Sequence, residues 1–205
     1  MNTGIHASIH AIEVRAWDAL NPGRYPGLLH GFLSALEDSH SVGPETGWQP
    51  VYVTCEDAAG LAGAMVCYLK DDSYGEYVFD WAWADAYHRH GLAYYPKLIT
   101  AVPFTPATGP RMLCRPDADS ETVAKVLIET VRRDLAPTVS SWHVLFPDEA
   151  SRQQLLANGD WIERHGVQFH WTNQDFTDFD DHLALFNSQR LKEAKRERLH
   201  VAHYR

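Results

Sequence analysis

The sequence lacks any long apolar run. Its 205 residues are 45% hydrophobic and 22% charged, which is typical of a soluble globular protein, and no stretch of about 18 apolar residues could cross a bilayer. Residues 1–10 also lack the basic start and apolar block of a signal peptide. We therefore expect one main domain in the cytoplasm, without membrane insertion.

Cysteine is scarce, and no metal-ligand pattern is present. The three cysteines, Cys55, Cys67 and Cys114, form no C-x-x-C pair, which argues against a disulfide framework or a zinc knuckle. All three lie in apolar segments, so we expect buried thiols rather than a nucleophile. The 12 histidines do not cluster with cysteines or carboxylates, and we predict no metal site.

Positive charge is scarce outside the C-terminal end. The chain has a net charge of -9, of which residues 189–205 contribute +4 and the preceding 188 residues -13. An acidic body disfavours non-specific nucleic-acid binding, so we expect no DNA partner. The basic end leaves several roles open: a solvated helix, a contact with RNA or an anionic ligand, or a contact with an acidic subunit surface, as in a homodimer.

Residues 74–111 are unusually rich in aromatic and titratable side chains. Eight of the chain's 24 aromatic residues lie between Tyr74 and Tyr95, interleaved with carboxylates and histidines, and the prolines that follow hold an irregular path. This mixture is typical of a lined pocket. An equally open alternative is that the rings fill a sheet core and the charges lie at strand ends in contact with water.

The candidate site residues come from this stretch. Carboxylates between rings can have raised pKa values through desolvation, so Glu76, Asp80 and Asp85 are candidate catalytic bases. A lysine and an arginine could hold a substrate carboxylate or phosphate, and the aromatic side chains could line the site. The candidate substrate-binding residues are Tyr77, Trp81, Trp83, Lys97 and Arg111.

Hydrophobic periodicity predicts an α/β (α+β) domain. Strands are predicted at residues 8–14, 48–55, 61–69, 77–81, 98–102, 111–114 and 141–146, and a strand or a pair of strand segments at residues 161–171. Helices are predicted at residues 28–36, 83–90, 120–135 and 148–158, and Asp180 or Asp181 is predicted to cap a last helix. A central mixed, mostly antiparallel sheet flanked by helices buries these faces, which favours an acyl-CoA N-acyltransferase fold over a Rossmann sheet.

Four segments resemble a known family. GFLSALEDSHSVGPETGWQP, YLKDDSYGEYVFDWAWADAYHRHGLAYYPKLITAVPFTPATGPR, SSWHVLFPDEA and HGVQFHW are similar to the FemAB-like branch of the GNAT superfamily, which is described as peptidoglycan biosynthesis or recognition. The resemblance covers about residues 27–200 and corresponds to the N-terminal half of the two-half Fem ligases. It implies a GNAT-like domain at residues 1–178. Residues 179–205 would be a basic helix that starts a second half or makes an oligomer contact.

The resemblance implies acyl transfer to an amine. The acceptor would be a small-molecule or muropeptide-like amine, and the donor an acyl-CoA or an aminoacyl-tRNA, with no covalently bound cofactor. The nearest match to a GNAT pyrophosphate turn is the His88-Arg89-His90-Gly91-Leu92-Ala93 run, in which the glycine is expected to end a helix, so no cofactor-binding residue is assigned. The alternative function is a non-catalytic substrate-recognition or dimerisation domain with the same fold.

Overall fold

The structure is a computed structural model that describes residues 1–78 and 80–202. The chain divides into two compact units, Met1–Ile162 and Glu163–Arg205. The domain boundary predicted at residue 178 lies inside the second unit and stays a prediction.

The first unit is built on a six-stranded sheet. The strands are Asn2–His6 (β1), Gln49–Asp57 (β2), Gly60–Lys70 (β3), Lys97–Thr100 (β4), Leu113–Cys114 (β5) and Trp142–Val144 (β6). Their order in the sheet is β1-β2-β3-β4-β6, and β5 pairs with β3 beyond the short β4. Every pairing is antiparallel except that of β4 with β6.

Seven α-helices are described. They are Val14–Ala19 (α1), His30–Asp38 (α2), Trp81–Arg89 (α3), Ser120–Thr130 (α4), Glu149–Ala157 (α5), Phe179–Leu183 (α6) and Ser188–Ala202 (α7). Helix α4 continues into a π-helical turn, Val131–Leu135, so the predicted helix at residues 120–135 is confirmed. Asp119 and Asp148 cap α4 and α5 by accepting hydrogen bonds from first-turn amides, as acidic N-caps commonly do.

Helices cover both faces of the sheet, which explains the uninterrupted apolar runs of β2 and β3. One layer joins buried side chains of β2, β3, α4 and α5, among them Val53, Met65, Leu127 and Leu155. The opposite layer joins β2 and β3 to α1 and α2, and includes Tyr52, Tyr68, Trp17 and Leu33. The predicted mixed, mostly antiparallel sheet flanked by helices is confirmed.

The strand predicted at residues 8–14 is wrong. Ser8 accepts a hydrogen bond from the His10 amide and caps a 3-10 turn, Ile9–Ala11. Glu13 then accepts one from the Ala16 amide at 2.7 Å and caps α1. Two side-chain caps therefore convert an alternating stretch into helical turns, and the first strand lies earlier, at Asn2–His6.

The strand predicted at residues 77–81 is also wrong. It includes Phe79, which lies outside the described residues, but Tyr77 has a left-handed backbone with φ 58°, and Trp81 already begins α3. A left-handed residue interrupts the extended path that a ladder requires. The alternation in this stretch reflects buried carboxylates beside exposed rings rather than the two faces of a strand.

The extended segments predicted at residues 161–171 form no strand. Within the part of the chain that the structure describes, no strand pairs with them, and Val167 and Phe169 are almost fully exposed. Alternating hydrophobicity suits a strand, but a strand also needs a neighbour to complete its hydrogen bonds. This prediction is therefore corrected to an irregular segment.

The three cysteines are buried or half-buried thiols. Cys55 and Cys67 are fully buried and Cys114 is half-buried. Burial raises the pKa of Cys55 to about 11 and that of Cys67 to about 12, so both thiols stay protonated at neutral pH.

Among residues 1–78 and 80–202, none of the helices has both the length and the apolar composition of a membrane-spanning segment. No group of three metal-ligating side chains is found among the same residues.

A close approach at Gly63 holds α4 against the sheet. A Cβ at Gly63 would lie 2.2 Å from Cγ1 of Val123 and 2.9 Å from the Leu113 carbonyl oxygen. We expect Gly63→Ala to lower the free energy of unfolding by about 1–3 kcal/mol, because the helix must move outward. Urea unfolding measures this. Gly31→Ala is the control, since a Cβ there meets nothing within 4 Å and should stabilise α2 slightly.

Candidate active site

Two buried lysines meet where β3 ends and β4 begins. Lys70 and Lys97 are paired in the antiparallel register of these strands, so their side chains point to the same face. Both side chains are fully buried. Two like charges in this position require anions nearby, since an unpaired buried charge is very unfavourable.

The loop of residues 71–80 supplies those anions to Lys97. Lys97 Nζ donates to Glu76 Oε2 at 2.9 Å and to Ser73 Oγ at 2.8 Å. It also forms an ion pair with Asp80. The loop turns back because Gly75 adopts φ 79°, a conformation open to glycine. We call Lys97, Glu76, Asp80 and Ser73 the Lys97 cluster.

The two carboxylates of the cluster have different protonation behaviour. Burial raises the pKa of Glu76 to about 7, although Lys97 acts in the opposite direction. Burial also acts to raise the pKa of Asp80, but hydrogen bonds from Lys97 and Tyr94 outweigh it and hold that pKa below its usual range. Tyr94 donates to Asp80 Oδ2 at 2.7 Å. Near neutral pH, Asp80 is ionised and Glu76 can take up or release a proton.

Each carboxylate keeps one oxygen for a further hydrogen bond. Oε1 of Glu76 and Oδ1 of Asp80 are buried and accept no hydrogen bond from the described residues. Buried polar atoms are nearly always paired. An ammonium or other donor group of a ligand could therefore bind to these two oxygens.

Lys70 anchors the start of the same loop. Its Nζ donates to Asp72 Oδ1 at 3.0 Å and to the Tyr74 carbonyl oxygen at 3.1 Å, and lies 4.1 Å from the ring centroid of Trp48. Trp48 Nε1 donates to the same carbonyl oxygen at 3.2 Å. These contacts fix the backbone that presents the neighbouring aromatic side chains.

Exposed aromatic side chains lie next to the cluster residues in the sequence. The side chains with large exposed areas are Tyr74, Tyr77, Trp81 and Trp83, and we call them the aromatic surface. The rings of Tyr74 and Trp81 contact each other edge to face at 5.7 Å between centroids. Rigid, exposed rings beside buried carboxylates suit a ligand that has both an apolar face and a positive charge.

Two predicted site residues lie apart from this cluster. Asp85 is exposed on α3 and forms an ion pair with Arg89, one turn along the helix. Arg111 is buried, and its guanidinium donates to the carbonyl oxygens of Leu145, Pro110 and Ala107 at 2.7, 2.9 and 2.7 Å. We therefore keep Glu76, Asp80, Lys97 and the aromatic surface in the candidate site, and leave Asp85 and Arg111 outside it.

Sequence reasoning missed Lys70, Asp72, Ser73, Tyr94 and Tyr95. Ser73 Oγ lies 2.8 Å from the Tyr95 hydroxyl, which links the cluster to the chain just before β4. The sequence did contain a signal for Lys70. This lysine ends an apolar strand, and a lysine that is buried in such a position is seldom without a charged partner. Ser73 and Tyr94 gave no such signal.

The raised pKa of Glu76 predicts a pH-dependent stability. Its folded pKa of about 7 lies above the ordinary 4.5, so the stabilisation from its bound proton is complete below pH 4.5 and is lost as the pH rises through 7. Between these limits the free energy of unfolding of the wild type should fall relative to Glu76→Gln by on the order of 3 kcal/mol. Urea unfolding at several pH values measures the difference.

Asp85→Asn is the matched control for this pH profile. Asp85 is exposed and paired only on the helix surface, so its difference from the wild type should stay nearly constant over the same range. A flat difference for Glu76→Gln would contradict the raised pKa.

The fold is that of the GNAT N-acetyltransferases. A ribosomal-protein-alanine N-acetyltransferase from Brucella melitensis biovar Abortus 2308 has a TM-score of 0.52 and 9% identity, with 83% of this chain and 100% of that chain covered. A probable acetyltransferase has a TM-score of 0.50 and 11% identity, with 86% and 100% covered. An aminoglycoside N-acetyltransferase, AAC(6')-Iy in complex with CoA, has a TM-score of 0.46 and 15% identity, with 84% and 99% covered.

Sequence comparison then gives the family. Residues 8–205 match the FemAB-like family, described as peptidoglycan biosynthesis/recognition, and the chain belongs to it. No curated protein sequence matches the chain significantly. The predicted family and the predicted GNAT-like fold are both confirmed.

Proposed function

We propose that this chain takes part in acyl transfer to an amine, and that the Lys97 cluster and the aromatic surface form its acceptor site. The observation that carries the proposal is the pair of buried carboxylates that differ in protonation, each with one oxygen left to accept a hydrogen bond. The family description supports an acceptor of the peptidoglycan-precursor type.

In this proposal Asp80 and Glu76 have separate roles. Asp80 stays ionised and binds the substrate ammonium. Glu76, with a pKa of about 7, accepts one proton from that ammonium and leaves a neutral amine, as a base poised near the working pH does best. The amine nitrogen then forms a bond to the acyl carbon, the bond from that carbon to the sulfur or oxygen of its carrier breaks, and the second proton of the amine leaves with the carrier as its thiol or hydroxyl. Lys97 is a positioning residue that holds both carboxylates.

The aromatic surface controls access in this proposal. Glu76 is only 4% exposed and lies in the loop between Tyr74 and Tyr77, whose rings are exposed. We place the entrance between these two rings. A sugar or peptide portion of the acceptor would then pack on Trp81, since rigid rings provide contact area at a low entropic cost.

The acyl donor is a separate part of the proposal. The two carriers that the family resemblance implies are acyl-CoA and aminoacyl-tRNA. Both deliver an acyl carbonyl to the amine and neither requires a covalent intermediate on the protein. A cytoplasmic location and a homodimer are likewise proposals, and the basic helix α7 is the surface that we would examine for subunit contact.

Calorimetric titration of the full chain with a muropeptide that carries a free amine tests the acceptor site. We expect saturable binding that weakens at least about tenfold when the amine is acetylated, because the cluster recognises the ammonium. Trp81→Ala should weaken binding by a similar factor. Ile5→Ala is the control, because this side chain is exposed on β1, which β2 and β3 separate from β4, and it should leave the affinity unchanged. Equal binding of the free and acetylated peptides would overturn the proposal.

The second candidate function is a recognition domain that binds the acceptor without catalysing transfer. The burial of Glu76 favours it, because a base that is almost inaccessible can serve binding alone. The two functions differ in one measurement. In a transfer assay with a charged donor, Glu76→Gln abolishes turnover if the chain is catalytic, whereas a recognition domain shows no turnover before or after the change.

A further inference from the structure

The strand ends of the parallel pair are where a donor site should be sought. Strands β4 and β6 run parallel and end at Thr100 and Val144. In open α/β sheets, ligands bind in the crevice outside the carboxyl ends of parallel strands, and β4 and β6 are the parallel pair of this sheet. The GNAT fold implies CoA as the donor. A CoA site at these strand ends would need free backbone groups along the ligand and N–H donors for its pyrophosphate.

The chain itself lies along the end of β6. Residues 107–111, which we call the strand-end segment, run beside the chain that leaves β6, and Gly109 forms a parallel bridge with Pro147. The Gly109 amide donates to the Phe146 carbonyl oxygen at 3.2 Å, and the Asp148 amide donates to the Gly109 carbonyl oxygen at 2.9 Å. Backbone groups that an extended ligand could use are therefore already paired.

Two side chains hold the strand-end segment in place. The Arg111 guanidinium bridges Ala107 and Pro110 of the segment to Leu145, the residue just after β6. The ring of Tyr25 lies directly on Gly109, where an added Cβ would be 2.4 Å from ring carbons. The segment is thus clamped from both sides, and the absence of a side chain at Gly109 is what permits the fit.

The longer helices of the first unit have carboxylates at their N-termini. The pyrophosphate of CoA requires backbone N–H groups, commonly at a helix N-terminus. In residues 1–78 and 80–162, three of the four α-helices of nine or more residues have a carboxylate that accepts from a first-turn amide: Asp18 for α2, Asp119 for α4 and Asp148 for α5. The fourth, α3, has Asp80 at its N-cap without a capping hydrogen bond.

Glycine spacing agrees with this distribution of charge. No two glycines in the 205 residues are separated by a single residue, so the sequence contains no G-x-G turn to bring backbone amides close to phosphates. Gly91, the glycine of the nearest pyrophosphate-like run, follows the end of α3 with φ 69°. It terminates a helix, as expected from the sequence, and does not begin one.

We infer that the unit Met1–Ile162 does not bind CoA or another pyrophosphate-bearing acyl donor, because the strand-end segment pairs with the chain that leaves β6 and carboxylates lie at the N-termini of the longer helices. This inference concerns the acyl donor. It rests on the proposed function only in treating CoA as a possible donor for that transfer. The acyl group must then reach the acceptor on a carrier that contacts this unit by other means than a pyrophosphate.

Titration of the full chain with acetyl-CoA, followed by calorimetry and by amide hydrogen exchange, tests the inference. We expect no saturable heat, and we expect the amides of Gly109 and Asp148 to stay protected to the same degree with and without acetyl-CoA. Saturable binding that ADP competes away, together with a change in amide protection within residues 1–162, would overturn the inference. Loss or gain of protection at these two amides on adding acetyl-CoA would overturn it as well.

The same sample separates this inference from the proposed function. A chain that binds the amine-bearing muropeptide but not acetyl-CoA supports both. A chain that binds neither ligand, while its exchange pattern shows that it is folded, contradicts the proposed acceptor site and leaves the donor inference supported. Binding of acetyl-CoA together with the muropeptide contradicts the donor inference alone.

Discussion

Lys97→Met is expected to lower the free energy of unfolding by about 3–5 kcal/mol, the usual result of removing one partner from a buried ion pair. The side chains of Lys97, Glu76 and Asp80 are almost completely buried. Methionine keeps much of the volume, so the loss comes from the two carboxylates that remain without a cation. Because a domain of ordinary stability has only about 5–15 kcal/mol, the variant should be close to unfolding at 37 °C.

The pH dependence of this loss distinguishes charge from packing. Glu76 is protonated below its pKa of about 7, so one of the two stranded charges disappears at pH 5 and the loss should be smaller there than at pH 8. Urea unfolding at both values measures it. Lys125→Met is the control, because that lysine is exposed and its Nζ lies as far as 4.0 Å from Oε1 of Glu129. This substitution should lower the free energy of unfolding by less than about 0.5 kcal/mol. Equal losses for the two lysines would contradict the buried cluster.

Arg111→Leu is the second change with a large expected effect. The guanidinium of Arg111 satisfies three carbonyl oxygens, and the side chain is 3% exposed. Each hydrogen bond from a charged donor stabilises by about 1.5–3 kcal/mol, and the three are not additive, so we expect a loss of about 3–5 kcal/mol. Urea unfolding measures the loss, and hydrogen exchange should show faster opening at Gly109.

The conservative variant and a surface control sharpen this prediction. Arg111→Lys should recover only part of the stability, because an ammonium cannot reach three carbonyl oxygens in the planar geometry of a guanidinium. Arg133→Leu should have little effect, since Arg133 is exposed and pairs with its neighbour Asp134. Full recovery by lysine would show that charge alone, rather than the fork of donors, holds the strand-end segment.

Periodicity predicted the central elements of the fold correctly. The apolar runs that became β2 and β3, and the helical stripe from Val123 to Leu127, follow from burial on both faces of a covered sheet. Periodicity failed where local hydrogen bonds or missing partners decided the result. The Ser8 and Glu13 caps produced helical turns at the N-terminus, and residues 161–171 alternate as a strand does without a described strand beside them.

The candidate site was located by composition, but its arrangement was not. The stretch from Tyr74 to Arg111 stood out because of its rings and carboxylates, and three of its predicted residues, Glu76, Asp80 and Lys97, do meet. Their separation in the sequence gives no hint of which carboxylate contacts the lysine. The register of β3 against β4 decides this, since it places Lys70 opposite Lys97 and draws the loop over both.

Arg111 shows the limit of reading chemistry from residue type. As an arginine in a proline-rich loop it was a reasonable ligand for a carboxylate or phosphate, but the loop's own carbonyl oxygens engage its donors. Whether an arginine binds a substrate or its own backbone depends on which acceptors the folded chain brings within 3 Å. That proximity is a tertiary property.

By itself, the sequence determined the family, the mixed sheet with helices on both faces, and the stretch that contains the candidate site, because burial periodicity and composition are local. Only the tertiary structure decided which charges are paired, that Glu76 and Asp80 differ in protonation, and that the strand-end segment pairs with the chain that leaves β6. These properties depend on distances between residues far apart in the chain and on how completely water is excluded from them.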